Sequence, residues 1–149
     1  MSRHEFARYI VLLLSCIYIS KIDIKERRIT NKNICITGCV GILLALSNLD
    51  KAVFLSCILG GTAGFLVSLF IAWFSKGGIG MGDVKLLGMA GLYLGITYLE
   101  IAIFWSLVFV ILFGTIQWIR KKATGKTEYP FAPFLTAGIF VTLCVRALA

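Results

Sequence analysis

The sequence predicts an all-α polytopic membrane protein, a bundle of about six transmembrane helices forming one domain over residues 1–149. Two observations predict it. Apolar residues (Ala, Val, Ile, Leu, Met, Phe, Trp, Tyr, Cys) make up 59% of the chain and charged residues 15%, and the mean hydropathy is +0.93. Soluble domains carry roughly a quarter charged residues, so a soluble fold of this size would lack the polar surface to stay dissolved. The apolar residues also gather into runs at 9–24, 34–49, 53–75, 86–99, 101–119 and 131–145. Lipid is the solvent such runs require, which excludes soluble enzymes, disordered chains and disulfide scaffolds.

The first run, 9–24, is interrupted by Lys21 and Asp23. Arg3 and Arg8 ahead of it imitate a signal peptide, and Leu13-Leu14-Ser15-Cys16 loosely imitates a lipoprotein site. No small-x-small cleavage site follows, and bulky Leu14 stands two before Cys16, so the run is read as a retained helix. The second and third runs are joined by a short polar turn at Asp50-Lys51. The fourth follows the glycine-rich segment Gly77-Gly78-Ile79-Gly80-Met81-Gly82, the fifth begins beyond Glu100, and the sixth opens at a proline-containing segment, 129–134. Several runs are shorter than the roughly 20 residues that cross about 30 Å of hydrocarbon, so their ends recruit polar residues or the bilayer thins. Gly60 and Gly64 on the third run, and Gly91 and Gly95 on the fourth, have the spacing that lets two membrane helices approach closely.

The formal charge of +8 reads as topology rather than as a nucleic-acid surface. With six crossings, eleven of the 15 Lys and Arg, in the segments 21–32, 76–85 and 120–126, fall on one face; Arg3, Arg8, Lys51 and Arg146 fall on the other. The richer face is then cytoplasmic and both termini lie outside. Trp73 and Trp118 fall near the inner interface, Tyr93 and Tyr98 near the outer. The five cysteines all sit in apolar runs without a C-x-x-C pair and read as small core residues. His4 is the one histidine, so neither a metal site nor a cofactor is expected.

Three aspartates remain: Asp23, Asp50 and Asp83. Asp50 reads as a solvated turn residue. Asp23 ends the first run, and Asp83 lies directly before the fourth, with two crossings between them, so parity places both carboxylates on one face at similar depth. An aspartate carried into a bilayer costs about 2.5 to 3.5 kcal/mol and faces a bundle interior or wet cavity. Two close carboxylates share a proton: the charged one can take a proton from water while the protonated one polarises a carbonyl. An aspartic protease uses this arrangement; a cation site or proton relay in a small transporter is the other use of such residues. Gly80 and Gly82 allow unusual backbone angles and close approach of a substrate strand beside Asp83. Lys85, turned away from Asp83 by helical geometry, reads as an inner-face anchor or a substrate contact.

Gly80-Met81-Gly82-Asp83-Val84-Lys85 resembles the G-x-G-D-x-K signature of the type IV prepilin peptidases, a family that includes the archaeal preflagellin peptidases. Asp23-Ile24-Lys25-Glu26-Arg27-Arg28-Ile29-Thr30-Asn31 is similar to that family's other aspartate motif, with Thr30 where many members have proline. Tyr129-Pro130-Phe131-Ala132-Pro133-Phe134 looks like the segment that opens the family's last helix. The resemblance implies Asp23 and Asp83 as the catalytic pair, with Gly80, Gly82 and Lys85 in the substrate-binding or active-site loop. It implies a prepilin or pseudopilin substrate with a basic leader and an apolar helix, cut at the cytoplasmic face of the cell membrane, with the lipid bilayer as the other partner. Glu26 and Glu128 are candidates to attract the leader. Larger members add paired C-x-x-C motifs and methylate the new N-terminus; these 149 residues hold no such pair, so peptidase activity without methyltransferase activity is expected. Presenilin-type proteases share the G-x-G-D element, but their third motif is Pro-Ala-Leu, where this chain has Phe131-Ala132-Pro133.

Overall fold

A computed structural model describes residues 3–26, 31–46, 51–75, 79–120 and 129–148. These form five helices: α1 (Arg3–Glu26), α2 (Asn31–Leu46), α3 (Lys51–Phe74), α4 (Met81–Ile119) and α5 (Ala132–Leu148). The all-α class stands, but the count is five rather than six, because the expected fourth and fifth spans are one element broken at Gly95. Asp50, Gly77, Gly78 and Glu128 lie outside the described residues.

The 39 residues of α4 would make a straight rod of about 58 Å, roughly twice the hydrocarbon thickness. It is not straight. A methyl group built on Gly64 would find the Leu87 carbonyl oxygen and Leu99 Cδ2 each 2.9 Å away, although a straight helix would set those residues about 18 Å apart. The chain therefore doubles back at Gly95, whose φ of 73° and ψ of 174° suit glycine alone. Residues 81–94 form one arm and 96–119 the other. Charged Glu100 is where the apolar pattern places this boundary; the break comes five residues earlier, where a glycine can take the required angles.

The first arm runs along α3 through glycine. Gly91 lies against the Gly60 backbone, Gly88 against Phe65 and the Gly61 carbonyl, and a methyl group on Gly60 would sit 2.6 Å from the Gly95 carbonyl carbon. The two small-residue pairs seen in the sequence thus face each other, and dispersion between close backbones holds this arm against α3. From Leu86 to Gly91 every residue of this arm is buried, as expected of a helix that is apolar all round and ringed by others. Leu12, Cys16 and Ile19 of α1 and Leu135 and Ile139 of α5 complete the core. The outer helices instead turn Leu43, Leu66, Phe70, Phe104, Ile111 and Phe140 outward, as lipid-facing surfaces do.

α3 and α4 are each long and apolar enough to cross a membrane, while α2 and α5 are apolar but shorter. α1 has 24 residues and carries charge near both ends. Trp73 and Trp118 are largely exposed, but Tyr93 corrects its interfacial assignment: it is fully buried under Gly41 and donates its hydroxyl to the Thr37 carbonyl at 2.7 Å. Cys16 and Cys57 are core residues as expected, whereas Cys35, Cys39 and Cys144 are exposed.

Near the start of α1, Glu5 accepts from Arg146 at 2.7 Å, and both Arg8 and Arg146 donate to the Tyr9 hydroxyl. The Arg146 guanidinium lies 4.9 Å from the Tyr9 ring centre and 4.3 Å from that of Tyr98. This cluster ties α1, α5 and the second arm of α4 together at one end of the bundle.

Candidate active site

Asp23 lies in the last turn of α1, on the side that faces α5, and only 6% of it is exposed. Its Oδ2 accepts a hydrogen bond from the Ala132 N–H at 3.2 Å. That donor is available because of the local sequence. Phe134 and Leu135 both donate to the Phe131 carbonyl at 3.1 Å, so α5 begins at Ala132, whose own N–H has no acceptor within the helix. Pro133 has no N–H and fits the first turn without loss. Phe113 packs with its ring centre 5.4 Å from those of both Tyr129 and Phe134, which bracket Ala132 in sequence. One turn deeper, the Ser20 and Thr136 hydroxyls share a hydrogen bond of 2.7 Å, a second rung between α1 and α5.

Asp83 sits in the first turn of α4, ahead of the apolar run that begins at Leu86. The N-cap is Gly80, and the Asp83 and Val84 N–H groups donate to its carbonyl at 3.0 and 3.2 Å. Burial, then the charge of Asp23, pushes the Asp83 carboxyl up to about 6, against a smaller opposing pull from the Gly80 N–H. The two aspartates are thus brought within electrostatic reach of each other at one end of the bundle.

Gly80 and Gly82 do not use the freedom for unusual backbone angles that glycine allows. Gly80 is extended, with φ of −69° and ψ of 144°, and Gly82 is helical, because α4 begins at Met81 and takes in Asp83 rather than following it. Gly80 is nonetheless exposed and unobstructed, with nothing nearer to an added methyl than Asp83 Oδ2 at 3.4 Å. Lys85 donates from Nζ to Asn31 Oδ1, at the start of α2, at 2.9 Å. The last residue of one aspartate motif is therefore joined to the last residue of the other. Beside Lys85, an apolar groove of about 450 Å³ lies between α2, α3 and the first arm of α4, with Gly38, Gly61 and Gly88 in its lining.

Residues 10–115, which include both aspartates and Lys85, match the type IV leader peptidase family. The chain belongs to that family. It is 37% identical over 81 residues to a prepilin leader peptidase/N-methyltransferase of Bacillus subtilis, a stretch covering 54% of this chain and 33% of the relative. Proteins of the same description from Stutzerimonas stutzeri and Burkholderia pseudomallei are 34% and 33% identical over 89 and 93 residues, covering 56% and 59% of this chain and 31% and 30% of theirs. The chain thus spans about a third of the length of these curated relatives. No solved structure matches it.

The family match ends at residue 115, short of α5, yet α5 supplies the donor to Asp23. Ala132, Ser20, Thr136 and Asn31 were not singled out from the sequence as parts of the site. The proline-containing segment carried a signal for Ala132, since prolines in a first helical turn mark where unpaired N–H groups begin. The Lys85–Asn31 bond links residues 54 apart and had no local signal.

Proposed function

We propose that this chain is an aspartic endopeptidase that removes the short basic leader from type IV prepilins or prepilin-like proteins, with Asp23 and Asp83 activating water. The observation that carries this reading is the electrostatic meeting of the two aspartates in a leader peptidase family member. With one proton between them, the ionised carboxylate takes a proton from water, whose oxygen attacks the scissile carbonyl carbon. The protonated carboxyl donates to the carbonyl oxygen as the tetrahedral adduct forms. Collapse breaks the C–N bond, and the proton gained by the base passes to the leaving amine.

The exposed backbone at Gly80 offers room for an extended substrate segment beside Asp83, and the groove beside Lys85 offers room for an apolar one. The excess of Lys and Arg in the segments flanking this end supports a cytoplasmic orientation, with both termini outside. Methyl transfer is not assigned to these residues.

The test is coexpression in membranes of wild type, Asp23→Asn, Asp83→Asn or Asp50→Asn with a candidate prepilin, reading leader loss as a gel shift. Wild type and Asp50→Asn process the substrate and the two dyad variants do not, while all insert equally. Processing by either dyad variant sinks the reading. With S-adenosylmethionine added, the product stays unmethylated.

A further inference from the structure

Among the described residues, the hydrogen bond that holds Asp23 comes from a backbone group. Asp23 Oδ2 takes the Ala132 N–H at 3.2 Å, and Ala132, 1% exposed, is the first residue of α5. The neighbouring donors are spent or missing: Phe134 and Leu135 donate to the Phe131 carbonyl, and Pro133 has none. The Ser20–Thr136 hydrogen bond sets the register between α1 and α5 one turn away, and Phe113 packs on Tyr129 and Phe134, which bracket the donor in sequence. A charged acceptor makes this bond stronger than a neutral one, and the positive end of a helix dipole adds to it.

We propose that the Ala132 N–H is a positioning group of the cleavage reaction, fixing the orientation of the Asp23 carboxylate and favouring its ionised form. This rests on the peptidase reading and deepens it by giving the proline-containing segment a task. Among the described residues, the other charged groups around the pair leave that task to the amide. Lys21, Lys25 and Glu26 on α1 and Lys32 on α2 are exposed to solvent, Lys85 on α4 is engaged with Asn31, and the first turn of α5, from Ala132 to Leu135, carries no titratable side chain. The last described residue after α3, Ser75, has none either.

Ala132→Pro tests it. The first helical position tolerates proline better than any other, so the substitution removes the donor while keeping the helix. The expected result is a fall in kcat of about ten- to a hundredfold with KM little changed, and an acid limb of the pH–kcat profile moved upward by about one unit. Ala132→Gly, which keeps the N–H, retains the wild-type acid limb. Thr136→Val, which breaks the neighbouring rung, lowers the thermal midpoint but leaves the acid limb in place. An unmoved limb in Ala132→Pro overturns the proposal, as does an equal shift in Thr136→Val, since register rather than the donor would then be responsible.

A second measurement needs no substrate. In an Asp83→Asn background, the infrared carboxyl band of Asp23 titrates about one pH unit higher when residue 132 is proline. If the proline variant does not insert, an amide-to-ester replacement at residue 132 removes the same hydrogen and must give the same shift. An unchanged infrared midpoint overturns the proposed effect on Asp23. If the midpoint shifts but wild type cleaves no leader, it is the peptidase reading that fails, and a role in cleavage fails with it.

Discussion

The two ends of the bundle handle charge in opposite ways. At one, Arg8 and Arg146 meet Glu5 and the faces of Tyr9 and Tyr98, so each cation has an acceptor or a ring. At the other, about 22 Å further along α1, Asp23 lies within electrostatic reach of Asp83. The first arrangement stabilises the fold, since removing a partner would strand a desolvated charge. The second works against it, because both carboxylates are partly withdrawn from water and the charge of Asp23 raises the cost of ionising Asp83. The charge cluster and the two aspartates proposed as the dyad thus lie at opposite ends of the bundle, and on that proposal substitutions at the two ends move stability and activity independently.

The largest expected effect is on activity. Asp23→Asn and Asp83→Asn each lower leader cleavage by about a thousandfold or more, the scale of a lost general acid or base, without lowering the thermal midpoint in detergent. Glu5→Ala does the reverse: its removal leaves two guanidiniums with less countercharge and costs about 2 kcal/mol of stability, with kcat unchanged. If Glu5→Ala abolished cleavage in protein that is still folded, the two ends would not be independent.

Between the ends lies the packing that connects them, and there a substitution affects both. Gly91→Ala pushes a methyl group into the Gly60 backbone, which cannot swing aside as a side chain can. A cost of about 1 to 3 kcal/mol is expected, read as a drop in thermal midpoint, together with partial loss of cleavage as the first arm of α4 moves off α3. An unchanged midpoint would mean that the arm has more freedom than this contact allows.

How much of this was legible in the sequence follows from which features are local. Runs of apolar residues announce helices because lipid leaves the backbone no other partner, and the topological parity of Asp23 and Asp83 needs only a count of crossings. The spacing of Gly60, Gly64, Gly91 and Gly95 also announced the face on which α3 and α4 meet. The reversal at Gly95 was hidden because a glycine in an apolar run reads equally as packing or as a break, and here it is both: Gly95 packs against Ser56 and turns the chain. Burial of Tyr93 was hidden because aromatic placement depends on what surrounds the helix, and this arm proves central. The Ala132 donor required knowing that α1 and α5 are neighbours, a fact of tertiary structure alone.

A smaller effect concerns pH. The folded state holds a proton on Asp83 up to about pH 6, whereas a free aspartate loses it near 3.8. Between those values the folded state binds more protons than the unfolded one, so stability falls as pH rises, and above about 6 the full penalty is present. Asp83→Asn removes that slope: its thermal midpoint exceeds that of wild type at pH 7.5, and the difference vanishes below pH 4. On the proposed dyad mechanism, the alkaline limb of the wild-type cleavage profile is expected near pH 6 rather than near 4, since loss of the shared proton would remove the acid that polarises the carbonyl. Parallel midpoints for the two proteins from pH 4 to 7.5 would show that Asp83 is not burdened by its neighbour.

The smallest effect separates two roles for Lys85, anchor and substrate contact. Its ammonium donates to Asn31 at 2.9 Å across an exposed gap, a bond worth about 1 kcal/mol or less. As an anchor, it does no more than hold the start of α2 beside the start of α4, where the two aspartate motifs converge. Lys85→Met then lowers the thermal midpoint slightly and reduces cleavage only a few-fold, and Asn31→Ala does the same. In the double variant the losses do not add, because one bond accounts for both. A substrate contact gives a different pattern: Lys85→Met raises KM strongly while Asn31→Ala does not, and the double variant resembles Lys85→Met alone. The cycle reads out the role of Lys85 even if neither single variant is dramatic, because it depends on whether the two residues act as one.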